Sequence, residues 1–209
     1  SCAFKFLNIK NMKIIDNKKD AINELKRIST RTNSGNYKKI NAIVEEILQK
    51  VKSHGDIAVK EYTQKFDGFN PDPMQVNLTE LKDAWDEIDA NLKRALEVAH
   101  NRIKKFHEKE IPLSFTIKGE LGDSVQRRWT PVKNAGIYIP GGRAAYPSTV
   151  LMNAIPATVA GVKEIIMVSP GNKEGKINKT VLAAAYLSGI KKVFRIGGAQ
   201  AIGALAFGT

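Results

Sequence analysis

The sequence predicts an α/β protein: a helical scaffold carrying a β-hairpin, followed by a layer of parallel strands alternating with helices. Three observations lead there. Apolar residues recur at three-four spacing over residues 40–51 and again over residues 81–106, the periodicity of one helical face. Between residues 134 and 209, short apolar runs alternate with segments rich in small residues. Charge and glycine content change together near Pro131: residues 1–133 hold 44 of the 54 charged side chains, whereas residues 134–209 hold 10 charges and 11 of the 16 glycines. Three stretches are therefore expected: an extraneous leader over residues 1–11 ahead of Met12, a helical scaffold with hairpin over residues 12–133, and the strand–helix layer over residues 134–209.

In chain order, Ile40, Ile43, Val44, Ile47, Leu48 and Val51 define an amphipathic helix that His54-Gly55-Asp56 interrupts. Ile57, Val59, Tyr62 and Phe66 restart the pattern, which ends at Asp67-Gly68, a helix-terminating glycine. After Pro71-Asp72-Pro73 the series from Leu81 to Phe106 keeps helical spacing, with a break expected near Asp89 to Asn91. Pro112 stops it. Residues 114–118 and 125–130 alternate in polarity around a turn at residues 119–124, which reads as a hairpin.

The second region reads strand (136–139), helix (148–161), strand (164–168), helix (177–188), strand (193–196), helix (199–207). Strand runs without polar alternation suit a sheet covered on both faces, and crossovers of this length suit parallel pairing. The expected layer is Rossmann-like and incomplete, since three strands alone leave two open edges that something else must cover.

Composition narrows the function. The chain has 209 residues and is 43% hydrophobic, which suits a globular protein. Its one cysteine, Cys2, makes neither an intrachain disulfide nor a cysteine-based zinc site, consistent with a reducing compartment. Residues 1–11 lack the continuous apolar core of a signal peptide. Residues 144–162 carry no charge, but Pro147, Asn153 and Pro156 make them a helix buried in protein rather than in lipid. The net charge of +12 admits phosphate-bearing partners. Its lysines are spread over helices and interleaved with acids, however, with no nucleic-acid recognition pattern.

Ligands of open parallel sheets bind beyond the carboxyl ends of the strands. Two segments lie there: Ile139-Pro140-Gly141-Gly142-Arg143, leading to Ser148 as a plausible helix cap, and Ile196-Gly197-Gly198-Ala199-Gln200, which opens into a helix. Paired glycines let a ligand approach backbone N–H groups, and a helix N-terminus favours phosphate. These residues fit a nucleotide crevice; they equally fit plain strand-to-helix turns. Neither segment matches G-x-G-x-x-G, and no P-loop or nucleophile elbow occurs. His54, His100 and His107 lack the spacing of a helical zinc site and read as surface or boundary residues. Glu45-Glu46 and Asp86-Glu87 read as solvated faces, and Arg127-Arg128-Trp129 as part of the hairpin's structure. On these residues alone, a self-contained basic nucleotide- or nucleic-acid-binding module is the alternative to an enzyme.

Longer motifs carry more. Gly136-Ile-Tyr-Ile-Pro-Gly-Gly142, Tyr146-Pro-Ser-Thr-Val-Leu-Met-Asn-Ala154, Pro156-Ala-Thr-Val-Ala-Gly-Val162, Gly197-Gly-Ala-Gln-Ala-Ile202 and Ala206-Phe-Gly-Thr209 resemble the histidinol dehydrogenase family. Gly55-Asp56, Glu61-Tyr-Thr63, Phe66-Asp67 and Phe106-His107 are similar to it as well, so the match runs from about Met12 to Thr209. The resemblance implies a zinc-dependent cytoplasmic homodimer that oxidises L-histidinol to L-histidine through L-histidinal in two NAD-linked steps of histidine biosynthesis, with no membrane or specific nucleic-acid partner. It implies that Tyr138 and Gln200 contact NAD. It also implies that the zinc ligands and the Glu-His pair for proton transfer lie in a further part of family members, so no catalytic or metal residue is carried onto this chain. The chain is accordingly expected to be an N-terminal fragment, inactive alone. Arg143 and Gly203 depart from some members without removing either named contact.

Overall fold

The computed structural model describes residues 14–30, 35–142 and 144–209. The expected leader, Cys2 and Arg143 lie outside them. Two compact units divide the chain after Glu45.

The first unit holds α1 (Lys18–Thr30) and the opening of α2 (Gly35–His54). α1 has no counterpart among the elements expected above, yet its start signal is in the sequence. The Asn17 side-chain oxygen accepts from the Asp20 N–H at 2.9 Å, a cap followed by an acid in the positively polarised first turn. No residue of α1 is buried.

In the second unit, the end of α2 is followed by α3 (Asp56–Asp67), α4 (Leu78–Glu87) and α5 (Ala90–His107). The breaks fall where the sequence places them. Gly68 closes α3 at φ 78°, a left-handed conformation that L side chains rarely adopt, and its N–H reaches the Gln64 carbonyl. Asp89 separates α4 from α5 because its carboxylate accepts from the Asn91 and Leu92 N–H groups at 2.8 and 3.3 Å, which starts a new helix. The hairpin forms as β1 (Phe115–Lys118) and β2 (Ser124–Arg127), antiparallel with Phe115 opposite Arg127, and every residue of its two strands is exposed.

The remaining elements are β3 (Asn134–Tyr138), α6 (Pro147–Val159), β4 (Glu164–Val168), α7 (Lys179–Leu187), β5 (Lys192–Phe194) and α8 (Gly198–Phe207). The strands form one parallel sheet in the order β3-β4-β5, with Gly136 beside Ile166 and Val168 beside Phe194. On one face Ile137, Met167 and Val193 join a core with Leu151 and Ile155 of α6, Val181 and Leu182 of α7, Leu81 of α4 and Leu96 of α5. Helices from both sides of the compositional change near Pro131 thus share a core. On the other face Val168 packs with Val51 of α2, Val59 and Tyr62 of α3, and Ala201 of α8. The alternating side-chain direction of strands sends neighbouring residues into opposite cores, so unbroken apolar runs are required.

The sequence leaves open what covers the sheet's edges. At β5 the answer is residues 74–76: the Val76 N–H donates to the Val193 carbonyl at 2.8 Å and the Arg195 N–H to the Met74 carbonyl at 2.9 Å. Arg195 adds a side-chain hydrogen bond to the Glu80 carboxylate at 2.9 Å. Among the described residues, the outer edge of β3 has no strand partner. α6 begins earlier than expected: Tyr146 is at its N-cap and Pro147 inside, because proline's missing N–H and fixed φ suit a first helical position, so Ser148 is not the cap. No helix among the described residues is long and apolar enough to cross a membrane.

Candidate functional site at the strand ends

Three segments meet past the carboxyl ends of the strands. Pairing continues one residue beyond them, with the Ile139 N–H donating to the Val168 carbonyl at 2.9 Å and the Ser169 N–H to the Phe194 carbonyl at 3.1 Å. This carries Pro140-Gly141, Pro170-Gly171 and Ile196-Gly197 outward side by side. Pro170 lies between the two glycine turns. A Cβ on Gly141 would fall 2.5 Å from Pro170 Cγ, and one on Gly197 would fall 2.6 Å from Pro170 Cβ. Both glycines are thus required by a contact within the protein, in addition to any ligand approach. Pro170 is a site residue that the sequence reading did not single out, since nothing in a Ser-Pro dipeptide says which distant turns it will touch.

The structure brings Tyr138 and Gln200 to this mouth. Tyr138 ends β3, half-buried, and its phenol oxygen accepts from the Gly198 N–H at 3.1 Å. Gln200 is in the first turn of α8 and only 1% exposed, yet neither its Oε1 nor its Nε2 has a hydrogen-bond partner. Its amide folds back over the helix start, because a Cβ on Gly198 would sit 2.6 Å from Gln200 Oε1. Gly198 has φ 63°, a left-handed backbone value that favours glycine there. A buried amide left unpaired costs about 1–3 kcal/mol, and a ligand offering a donor and an acceptor would recover it. Phenol, buried amide and helix N-terminus thus lie together at the strand ends.

The other sequence-singled residues stay apart from this mouth. His107 Nδ1 pairs with the Glu110 carboxylate, and both line a cavity of about 340 Å³ with Trp129, Pro131 and Pro156. The Arg127 guanidinium lies 4.8 Å from the Trp129 ring centre, and the Trp129 N–H donates to Ser114 Oγ at 2.9 Å, so this run does bind the hairpin together. His54 contacts Ser53, and His100 contacts Asn101. Asp86 is hydrogen-bonded by Lys82, which holds its carboxyl below the usual range, as expected of a solvated helix face. Among the described residues there is no group of three or more His, Cys, Asp or Glu arranged to hold a metal ion.

Comparison with known proteins adds to this geometry. Residues 30–209 match the family model described as histidinol dehydrogenase. The chain is 84% identical over 204 residues to histidinol dehydrogenase of Prochlorococcus marinus (strain MIT 9312), covering 97% of this chain and 46% of that protein. It is 53% identical over 168 residues to histidinol dehydrogenase of Aquifex aeolicus (strain VF5), covering 79% of this chain and 38% of that protein. The crystal structure of histidinol dehydrogenase from Elizabethkingia anophelis aligns with a TM-score of 0.77 at 38% identity, over 81% of this chain and 39% of that one. The chain therefore spans less than half the length of these relatives. A self-contained basic binding module finds no support in these matches.

Proposed function

The chain belongs to the histidinol dehydrogenase family, and from that premise we propose that it supplies part of the NAD platform of an enzyme oxidising L-histidinol to L-histidine through L-histidinal. The observation that carries this reading is the Gln200 amide, 1% exposed and unpartnered beside the Tyr138–Gly198 contact. Residues 134–209 are read as a Rossmann-like layer, and the glycine turns around Pro170 as its ligand-facing end. Tyr138 and Gln200 fit a dinucleotide: the amide can both donate to and accept from the ligand, and the start of α8 presents N–H groups suited to phosphate. When bound, NAD supplies the hydride acceptor. This chain's residues then hold and orient the nucleotide.

Zinc does not fit the described residues, which hold no group of three or more His, Cys, Asp or Glu that could bind a metal ion. By resemblance to the family, its ligands and the proton-transferring Glu-His pair belong to the part of the relatives that this chain does not match. The same resemblance supports a cytoplasmic homodimer as the working enzyme. Residues 12–133 are proposed as the scaffold of the platform.

Calorimetric titration with NAD tests the assignment. Gln200→Ala is expected to weaken binding about tenfold, the equivalent of one buried hydrogen-bonded group at ~1.4 kcal/mol. Unchanged affinity would remove Gln200 from the site. A turnover assay of this chain with histidinol, NAD and zinc is expected to yield no NADH, and steady NADH formation would show that the catalytic groups had been misassigned.

A further inference from the structure

One apolar stripe runs along α2 and meets two fates. Ile47 and Val51, late in the helix, are buried with Val168 and Ala201. Tyr37, Ile40 and Ile43, earlier on the same helix, are 42%, 53% and 55% exposed. The helical spacing of the apolar residues is the same in both halves, so what ends is the cover and not the pattern. Large apolar side chains grouped on one open helical face mark a surface that another segment buries.

The charges beside the open stretch say which segment. Lys38 and Lys39 stand at its start and Glu45 and Glu46 at its end, all four exposed. No opposite charge lies three or four residues from Lys38, Lys39 or Glu45, so the helix does not pair these charges along its own surface. Lys39 and Glu46 are seven residues apart, close to two full turns, and therefore share one edge of the stripe. An order of basic, apolar, acidic is complementary to its own reverse. A second α2 laid antiparallel, about a two-fold axis near Ala42 and Ile43, sets Lys39 of each copy level with Glu46 of the other, and Ile40 of each beside Val44 of the other. In a parallel copy, lysine would meet lysine and glutamate would meet glutamate, which like-charge repulsion disfavours.

We propose that the first half of α2 is a self-association surface, on which a second copy of this chain lays its own α2 antiparallel, with Ile40, Ile43 and Val44 in the seam and Lys39–Glu46 pairs at its edge. The proposal rests on the reading of the working enzyme as a homodimer and adds the surface through which two copies meet. The open stretch is only about 15 Å long, so the contact is small and the association is weak enough to be reversible at micromolar concentrations.

Sedimentation equilibrium of the intact 209-residue chain tests this, with single and double charge reversals. A monomer–dimer equilibrium is expected, and Lys39→Glu or Glu46→Lys alone should weaken it about tenfold or more, because each single change creates two like-charge contacts across the axis. Lys39→Glu/Glu46→Lys rebuilds both pairs with their signs exchanged and should return the dimer to within about threefold of wild type. A defect within the helix would instead accumulate in the double variant. Ile40→Glu should abolish association while leaving far-ultraviolet circular dichroism unchanged, since the side chain it replaces is exposed. Dimers that tolerate Lys39→Glu and Ile40→Glu would remove α2 from the interface and leave the homodimer reading standing. A chain that stays monomeric up to about 100 µM would overturn the α2 surface and the dimer of this chain together. Losses that add in the double variant would overturn the antiparallel pairing.

Discussion

In the hairpin, Phe115, Ile117 and Val125 are 49%, 61% and 68% exposed, whereas in the parallel sheet Ile137, Met167 and Val193 are 6%, 0% and 0% exposed. Both sheets use β-branched and aromatic side chains of similar propensity. They differ in what lies over them. α6 and α7 cover one face of the parallel sheet and α3 and α8 approach the other, while the hairpin residues stay open to solvent. Strand propensity decides where a chain extends, and cover from distant segments decides whether the extension becomes a rigid platform. The candidate site stands on the covered sheet, where strand ends are fixed closely enough for a proline to mesh with two glycine turns.

Mutations that probe both sheets sharpen this contrast. The largest effect is expected from Met167→Ala, which empties a fully buried position in the middle strand and should cost about 2–5 kcal/mol in urea unfolding. A loss below 1 kcal/mol would mean that the sheet is far less tightly covered than its burial indicates.

A smaller effect of opposite sign is expected at Asp67, whose Oδ2 is buried without a partner and whose carboxyl is pushed above its usual range by burial. Because the folded state binds this proton more tightly than the unfolded chain, stability falls as pH rises from the unfolded value of about 3.9 through the raised folded value. Asp67→Asn should therefore raise the melting temperature at pH 7, with the gain disappearing below about pH 4. Solvent screening of this half-buried group keeps the gain below about 1 kcal/mol. The smallest effect belongs to the hairpin: Ile117→Ser should stay within about 0.5 kcal/mol, and a larger loss would show that the hairpin is covered in solution.

Much of this architecture was legible because its signals are local. Gly68 and Asp89 mark helix ends through their own conformation or side chain, and the polarity alternation at residues 114–130 delivers the hairpin. The candidate site was partly legible: the glycine pairs after β3 and β5, singled out in the sequence, meet around Pro170 at the strand ends, and Tyr138 and Gln200, named through the family motifs, lie beside them. The unread features depend on contacts across the fold. The pairing of residues 74–76 with β5 is too short to leave a pattern, and the meshing of Pro170 with Gly141 and Gly197 exists only once three strands are aligned. α1 went unread for a different reason: its Asn17 cap signal was present, but no buried face accompanies it.

The clasp of residues 74–76 along β5 makes the sheet grow from a single side. With that flank already hydrogen-bonded, any strand added to this layer must join beside β3, next to Asn134 and Tyr138. An assembly that extends the layer would therefore put its new neighbour beside the strand that ends in Tyr138, whose phenol oxygen accepts from the start of α8.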